Sequence, residues 1–587
     1  MNEGRFGPIL TPESAIFRLW APAAREVAVI SDRTHKMAKD DNGWFTAEVA
    51  SAHAGMLYHF RIDDELDVPD PASAFQPADV SGPSELVDHD RFQWKATGWR
   101  GRPWHDAIIL ECHVGTFTPE GTYRAIIDKL DHLVSTGITA LELMPLGDFA
   151  GTRNWGYDGV LWYAPDHVYG TPDDLKELID QAHLRGLMVF LDVVYNHFGP
   201  EGNYLGHYAP QFFCDVQTPW GAAIDYRVPE VRAFTIDNAL HWLDNYRFDG
   251  LRLDAVHAIV QPGEPSILTD ISRAVGILAQ QTGRHIHLVL ENDDNRAHLL
   301  DPTSAIPAGR YRAQWNDDYH HVWHVILTQE TQGYYRDYAR HPRRLLARTL
   351  RAGFAYQGEP SAHRGGQARG ESVGSLPPAA FVNFLQNHDQ IGNRALGDRL
   401  EWTADARAIE AALAITLLAP MPPLMFMGEE WGATTPFPFF CDFKGDLADA
   451  VRAGRRREFA GAYETFGDDV PDPLALSTFK SAVLAWPDKN RNPPRLAFIR
   501  NLLRIRSTEL MPHLAGSAFA TADLRQDDRL LITRWTLGDG TPLHLRANIS
   551  DQAVSNDAPA MPGRPIWGGL PPTRMPAWSV FWSIGAA

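Results

Sequence analysis

Gly250-Leu251-Arg252-Leu253-Asp254 is a short apolar run that ends in a carboxylate, and the pattern recurs at Leu288-Val289-Leu290-Glu291 and Phe384-Leu385-Gln386-Asn387-His388-Asp389. Each run has the length and flanks of a buried parallel strand, which puts each acid at a strand's C-terminal end. In a closed (β/α)₈ barrel those ends converge on one mouth, where the active site lies. A carboxylate cluster there suits glycoside hydrolysis, which needs a nucleophile and a proton donor flanking one bond. The competing reading is three strand-end acids that cap neighbouring helices.

Working outward, apolar strands alternate with helical periodicity from about residue 105. The candidate strands are 107–112, 138–144, 187–194, 250–254, 287–291, a weak one at 312–315, 381–386 and 424–427. Helices such as 172–178 and 231–245 lie between them, with Asp or Thr near their starts. Eight strands with crossovers predict a TIM barrel with insertions, the longest an irregular loop at 196–230. A Rossmann-type sheet would want a Gly-rich phosphate turn after its first strand, and there is none.

Ahead of the barrel, Phe17-Arg18-Leu19-Trp20, Val27-Ala28-Val29-Ile30 and Tyr58-His59-Phe60-Arg61-Ile62 alternate as strands, with Asp41-Asn42-Gly43 as a turn. This predicts a small β-sandwich within 1–95, with the Pro-rich stretch at 68–84 as a linker packed along the surface. The catalytic barrel is then expected over 96–508, closed by a helix at 496–507. A second β-sandwich is expected over 509–587, where Leu530-Leu531-Ile532-Thr533-Arg534-Trp535 alternates again.

The 587 residues exceed what one core supports. Fifty-four Lys and Arg against 73 acids give a net charge of −19, which argues against nucleic acid or anionic membrane as partner. The basic run Arg455-Arg456-Arg457 is read as a solvated helix face. Three cysteines without metal-type spacing suggest reduced thiols and a cytoplasmic enzyme. The N-terminal stretch lacks the apolar core of a signal peptide, and no segment reads as a transmembrane span.

Chemistry follows from spacing. Arg252 lies two residues before Asp254, on the same strand face, and can hold that carboxylate ionised, as a nucleophile must be. Glu291 follows Leu288-Val289-Leu290, an apolar setting that raises a carboxyl's pKa and suits a general acid. His197, in Asp192-Val193-Val194-Tyr195-Asn196-His197, and His388 can donate hydrogen bonds to sugar hydroxyls.

Four motifs in order, Asp192 to His197, Gly250 to His257, Glu291 and His388-Asp389, resemble the four signature regions of the α-amylase superfamily of glycoside hydrolases. The likeness narrows through Glu111-Cys112-His113-Val114-Gly115-Thr116-Phe117-Thr118, Asn154-Trp155-Gly156-Tyr157-Asp158-Gly159, Asn316-Asp317-Asp318-Tyr319-His320-His321 and Phe426-Met427-Gly428-Glu429-Glu430. With these the chain resembles the maltooligosyltrehalose trehalohydrolases over nearly its whole length. Glycogen-branching enzymes share the four regions but are not expected to carry the 316–321 segment. One departure is Ala74, where an Arg is expected before Gln76-Pro77, and it puts domain docking in doubt.

The resemblance implies a retaining hydrolase with Asp254 as nucleophile, Glu291 as acid/base and Asp389 as the carboxylate that stabilises the transition state. Retention implies carboxyl groups roughly 5–5.5 Å apart. Tyr157 is implied to stack on the sugar at the cleavage subsite, with a core aromatic as the alternative. Arg252, Leu253, Ala255, Val256, His257, Gln390, Ile391, Gly392 and Asn393 are expected to line the substrate site with His197 and His388. Asn316, Asp317, Asp318, Tyr319, His320 and His321 are expected to bind sugar beyond the scissile bond, with a metal cluster as rival. Asn196 matches a calcium ligand of many α-amylases, but the rest of that cage is not visible, so no metal or cofactor is expected. The implied substrate is maltooligosyltrehalose and the implied pathway partner maltooligosyltrehalose synthase. Branching or amylase-like activity, and a catalytically dead glucan-binding protein, are the rivals.

Overall fold

In the computed structural model, residues 6–260, 266–300 and 311–586 are described. Eight parallel strands close into a barrel: β1 Ile109–Cys112, β2 Ala140–Leu143, β3 Met188–Val193, β4 Gly250–Leu253, β5 His287–Leu290, β6 Ala313–Trp315, β7 Phe381–Phe384 and β8 Pro423–Phe426. The weak sixth strand is real but only three residues long. β8 returns to pair with β1, Ile109 against Leu424, so the sheet has no free edge.

Alternation along these strands sorts the interior by height. Ile109, Ala140, Met188, Phe190, Val289, Ala313, Val382 and Leu424 pack as one apolar cluster. One pleat further along their strands, on the same face, come Glu111, Glu142, Asp192, Arg252 and Glu291. The barrel is thus a dry plug below and a charged rim above, a division that needs only period-2 spacing.

The helices that matter below are α1 Pro172–Leu184, α2 Pro229–Asp244, α3 Ile267–Thr282, α4 Asp317–Thr328, α5 Pro342–Ala352, α6 Ala406–Leu418 and α7 Pro493–Ile505. α1 starts on a Thr171–Asp174 capping box with Pro172 in its first turn, satisfying the orphan N–H groups there. After α7, the buried Arg506 donates to the carbonyls of Leu417, Ala419 and Met421 and so ties the C-terminal end of the barrel to the approach of β8.

The N-terminal region is a sandwich of two antiparallel sheets, one built on Ser14–Trp20 and Trp44–Ala50, the other on Val27–Ile30 and Leu57–Ile62. The Pro-rich stretch after it is anchored. Gln76 is fully buried, accepts from Ser84 Oγ at 2.6 Å and donates to the carbonyls of Asp79 and Gly82. Ala74 lines a cavity of about 510 Å³ between this region and α2 and α3. Docking is held elsewhere, by Phe6 edge-on to Phe234 and by Ala23 N–H to the Tyr208 carbonyl.

The expectation of an irregular 196–230 loop is corrected: it contains a short helix, Leu205–Tyr208, and a hairpin, Phe213–Thr218 with Gly221–Ile224. At the C-terminus a five-stranded antiparallel sheet is accompanied by a two-stranded ribbon, Val554–Ser555 with Arg574–Met575. Its Trp535 and Trp582 stack on each other and donate to the carbonyls of Leu350 in α5 and Ala414 in α6. Among the described residues, no helix is long and apolar enough to cross a membrane.

Candidate active site

Arg252 organises the rim. It has no exposed side-chain surface, and its Nη1 donates to both oxygens of Asp192, at 2.9 and 2.7 Å, and to Asp254 Oδ1 at 2.8 Å. Its Nη2 lies 3.7 Å from Glu291 Oε2, and its guanidinium sits 4.2 Å over the Trp315 ring. One planar cation therefore touches carboxylates from β3, the end of β4 and the end of β5. Asn196 Nδ2 adds a bond to Asp254 Oδ2 at 2.9 Å. Burial, opposed by Arg252 but reinforced by Asp254, pushes Asp192 up to about 7.

Burial also raises the Glu291 carboxyl above its ordinary range, against the pull of Arg252 and with help from Asp254. Its acid form therefore persists to higher pH, as a proton donor requires. Glu291 Oε2 accepts from Ala255 N–H at 2.6 Å. Ala255 reaches that position in a left-handed conformation, φ 40°, unusual for a residue with a Cβ. Asp254 and Glu291 side chains are each 14 % exposed, enough to meet a ligand.

On the opposite wall His388 is buried and held by Glu111, which accepts from its backbone N–H at 3.0 Å and contacts its Nδ1. Burial lowers the imidazole's pKa, but Glu111 and Asp389 outweigh it and bring it up to about 9. Its Nε2 lies 3.5 Å from Asp389 Oδ1, and Asp389 is 41 % exposed. Tyr157 stacks on the His388 ring at 5.1 Å and donates to Asp192 Oδ2 at 2.5 Å. Glu111 lies near the C-terminal end of β1, the same placement of an acid that marks Asp254 and Glu291.

His197 is placed differently from expectation. Its Nδ1 contacts Asn196 Oδ1 and its Nε2 the Tyr157 carbonyl at 3.0 Å, so both ring nitrogens face protein. It orients Asn196, which in turn holds Asp254. Leu253, Val256, Ile391 and Gly392 are buried beneath the rim and shape it through packing. His257 Nδ1 accepts from Asp293 N–H, and Asn393 donates to Asp389 Oδ1 at 3.2 Å.

The 316–321 segment, expected to bind sugar beyond the scissile bond, directs most of its polar groups to partners within the protein. It is the start of α4. Asn316 donates to the Gly353 carbonyl and Asn383, Tyr319 bonds Thr416, and His320 bonds the Leu385 carbonyl and Tyr335. Asp318 is fully buried; it accepts from the N–H groups of Ala355 and Tyr356, from Asn295 and from Arg369 Nη1 at 2.8 Å, and contacts Tyr338 OH, which also meets His321. Arg369 continues to Asp293 at 2.9 Å, two residues beyond Glu291. Only Asp317 faces the catalytic acids. Burial first, then Glu291, Asp293 and Asp389, raises its carboxyl well above the usual range, and Gln390 Nε2 approaches it at 3.5 Å. Arg369 has no sequence signal, since it lies on a two-residue strand, Ala368–Arg369, paired with Glu359–Pro360 and too short to show periodicity.

The family profile "Alpha amylase, catalytic domain" matches residues 90–211, "Carbohydrate-binding module 48 (Isoamylase N-terminal domain)" matches 5–73, and "Domain of unknown function (DUF3459)" matches 517–582. The chain is 43% identical to the malto-oligosyltrehalose trehalohydrolase of Deinococcus radiodurans over 502 residues, 85% of this chain and 82% of that protein. It is 39% identical to that of Rhizobium sp. (strain M-11) over 561 residues, 92% of each. A Salmonella typhimurium protein of known crystal structure superposes with a TM-score of 0.93 at 43% identity, covering 99% of this chain and 100% of that one. The pullulanase of Paenibacillus barengoltzii, at 19% identity and a TM-score of 0.72, shares the fold, covering 100% of this chain and 96% of that one. The chain belongs to the malto-oligosyltrehalose trehalohydrolase family of α-amylase-type glycoside hydrolases.

Proposed function

We propose that this chain hydrolyses, with retention, the α-1,4-glucosidic bond next to the terminal trehalose unit of maltooligosyltrehalose, releasing trehalose and a maltooligosaccharide. The observation that carries this reading is the single Arg252 guanidinium, which donates to Asp254 at 2.8 Å and lies 3.7 Å from Glu291, the carboxyl that burial raises toward its acid form. In the first step an Asp254 oxygen bonds to the anomeric carbon as the glycosidic C–O bond breaks. The proton of Glu291 passes to the departing trehalose oxygen. Water then attacks the glycosyl–Asp254 ester, giving its proton to Glu291 and freeing Asp254. Asp389, beside the cationic His388, is placed to stabilise the positive charge that develops on the ring.

Product analysis tests this. Maltooligosyltrehalose should yield free trehalose and a maltooligosaccharide whose new reducing end is α when first seen by proton NMR. Faster release of reducing sugar from plain maltooligosaccharide would favour the amylase-like reading. A β product would remove Asp254 as nucleophile.

A substrate ending in a non-reducing α,α-1,1 unit must be supplied by an enzyme that rearranges the reducing end of a glucan. We therefore propose maltooligosyltrehalose synthase as pathway partner. Three free cysteines, two of them buried, support the cytoplasm as the compartment.

A further inference from the structure

The catalytic hairpin is rooted in a second cluster of ionisable groups. Gly147–Asp148 pairs with Leu161–Pro165, and the excursion between them carries Trp155 and Tyr157 to the site. At the roots stand Asp148, Asp166 and His167. Asp148 and Asp166 have no exposed surface, and His167 is 22 % exposed. His167 Nδ1 lies 3.3 Å from Asp148 Oδ1 and 3.7 Å from Asp166 Oδ1. A ligand atom from each of the three falls within 4.8 Å of the others.

One buried oxygen in this corner has no protein partner. Asp166 accepts from the N–H groups of Phe149 and Val168, at 3.0 and 2.9 Å, but Asp148 Oδ2 is buried without a hydrogen-bond partner. Asp79 stands close enough to act on Asp148 as a further negative charge. A buried carboxylate oxygen without a partner is costly, and a bound cation would satisfy it. Ligand atoms bonded tetrahedrally to a metal at about 2.0–2.1 Å lie about 3.4 Å apart, near the 3.3 and 3.7 Å that His167 Nδ1 makes with the two oxygens.

We propose that Asp148, Asp166 and His167 form a site for a divalent cation of the Zn²⁺ class, which clamps the two roots of the hairpin that delivers Tyr157. Two carboxylates with one imidazole suit Zn²⁺, Co²⁺ or Mn²⁺ better than Ca²⁺, which takes oxygen ligands. The partly exposed His167 leaves a path for the ion and room for a water as fourth ligand. The site lies apart from Asp254, Glu291 and Asp389, so its role is to fix a loop and not to activate a nucleophile.

The test uses the full-length protein, stripped with chelator and titrated with Zn²⁺, with Co²⁺ as a spectroscopic probe. One equivalent should bind, Co²⁺ should give the visible absorption of a four-coordinate centre, and amide exchange should slow in 147–165 but not in the C-terminal sheet. Saturating Zn²⁺ should raise the melting temperature by about 2–4 °C. Asp148→Asn should weaken binding at least tenfold. His167→Ala, at a partly exposed position that folding tolerates, should do the same and serves if Asp148→Asn does not fold. Absence of stoichiometric binding, or equal binding in wild type and His167→Ala, would overturn the proposal.

Discussion

Two buried arginines, Arg252 on β4 and Arg369 on the two-residue ribbon strand Ala368–Arg369 before β7, gather carboxylates in the same way yet do different things. Arg369 uses Nε, Nη1 and Nη2, donating to Asp293, Asp318 and Tyr338, and Asp318 is sealed from solvent. Arg252 donates only through Nη1, leaving Nε and Nη2 buried without hydrogen bonds. A saturated guanidinium is a frame, whereas an under-bonded one beside two partly exposed carboxylates keeps capacity for charge that moves during a reaction. The catalytic cluster is therefore the one that is less well satisfied.

The sharpest way to break this contrast is on the Arg252 side. Asp254→Asn preserves shape and should lower kcat/KM about 10⁴-fold or more, roughly 5 kcal/mol, with little change in melting temperature. Turnover within tenfold of wild type would remove Asp254 from the chemistry. On the Arg369 side, Asp318→Asn leaves a buried cation short of its partner and should cost about 3–5 kcal/mol of stability in denaturant titrations. The preference for maltooligosyltrehalose over plain maltooligosaccharide should stay the same per folded molecule. A changed ratio would restore Asp318 as a sugar-reading residue.

Smaller effects sharpen the picture. Glu111→Gln removes the largest influence that raises His388, so the imidazole's pKa should fall from about 9. Activity that needs the imidazolium is then kept at low pH and lost as pH rises through the lowered pKa. The alkaline limb of kcat/KM should move to lower pH, with roughly a tenfold loss near pH 8. An unshifted limb would detach His388 from the rate. Asp317→Ala, at the one member of 316–321 that faces the acids, should change the ratio of the two substrates by less than about tenfold. Parallel loss on both substrates would place the discrimination in the 196–230 insertion.

The sequence revealed the barrel and its rim because both follow from local pattern. A four-residue apolar run ended by an acid places that acid at the mouth whatever the rest of the fold does, and Arg252 follows from alternation alone. Asp318 and Arg369 were not legible. Both depend on a loop folding back over α4, and no spacing announces it. A run of polar residues such as Asn316-Asp317-Asp318-Tyr319-His320-His321 looks ready for a ligand until the structure shows most of its hydrogen bonds spent on other side chains and backbone of the protein. His197 misled for the same reason: a histidine's two nitrogens look free until their partners are known.

The pairing of β8 with β1 sets a timetable for synthesis. Met427 N–H bonds the Glu111 carbonyl, so the strand that carries Glu111 waits for a partner encoded over three hundred residues later. At about 5–20 residues per second, roughly 15–60 s separate the two during translation. The N-terminal sandwich has its own paired sheets and can fold in that interval. The half-built barrel has open strand edges and unneutralised carboxylates, so the nascent chain is most exposed to aggregation and chaperone binding between the completion of β1 and the arrival of β8.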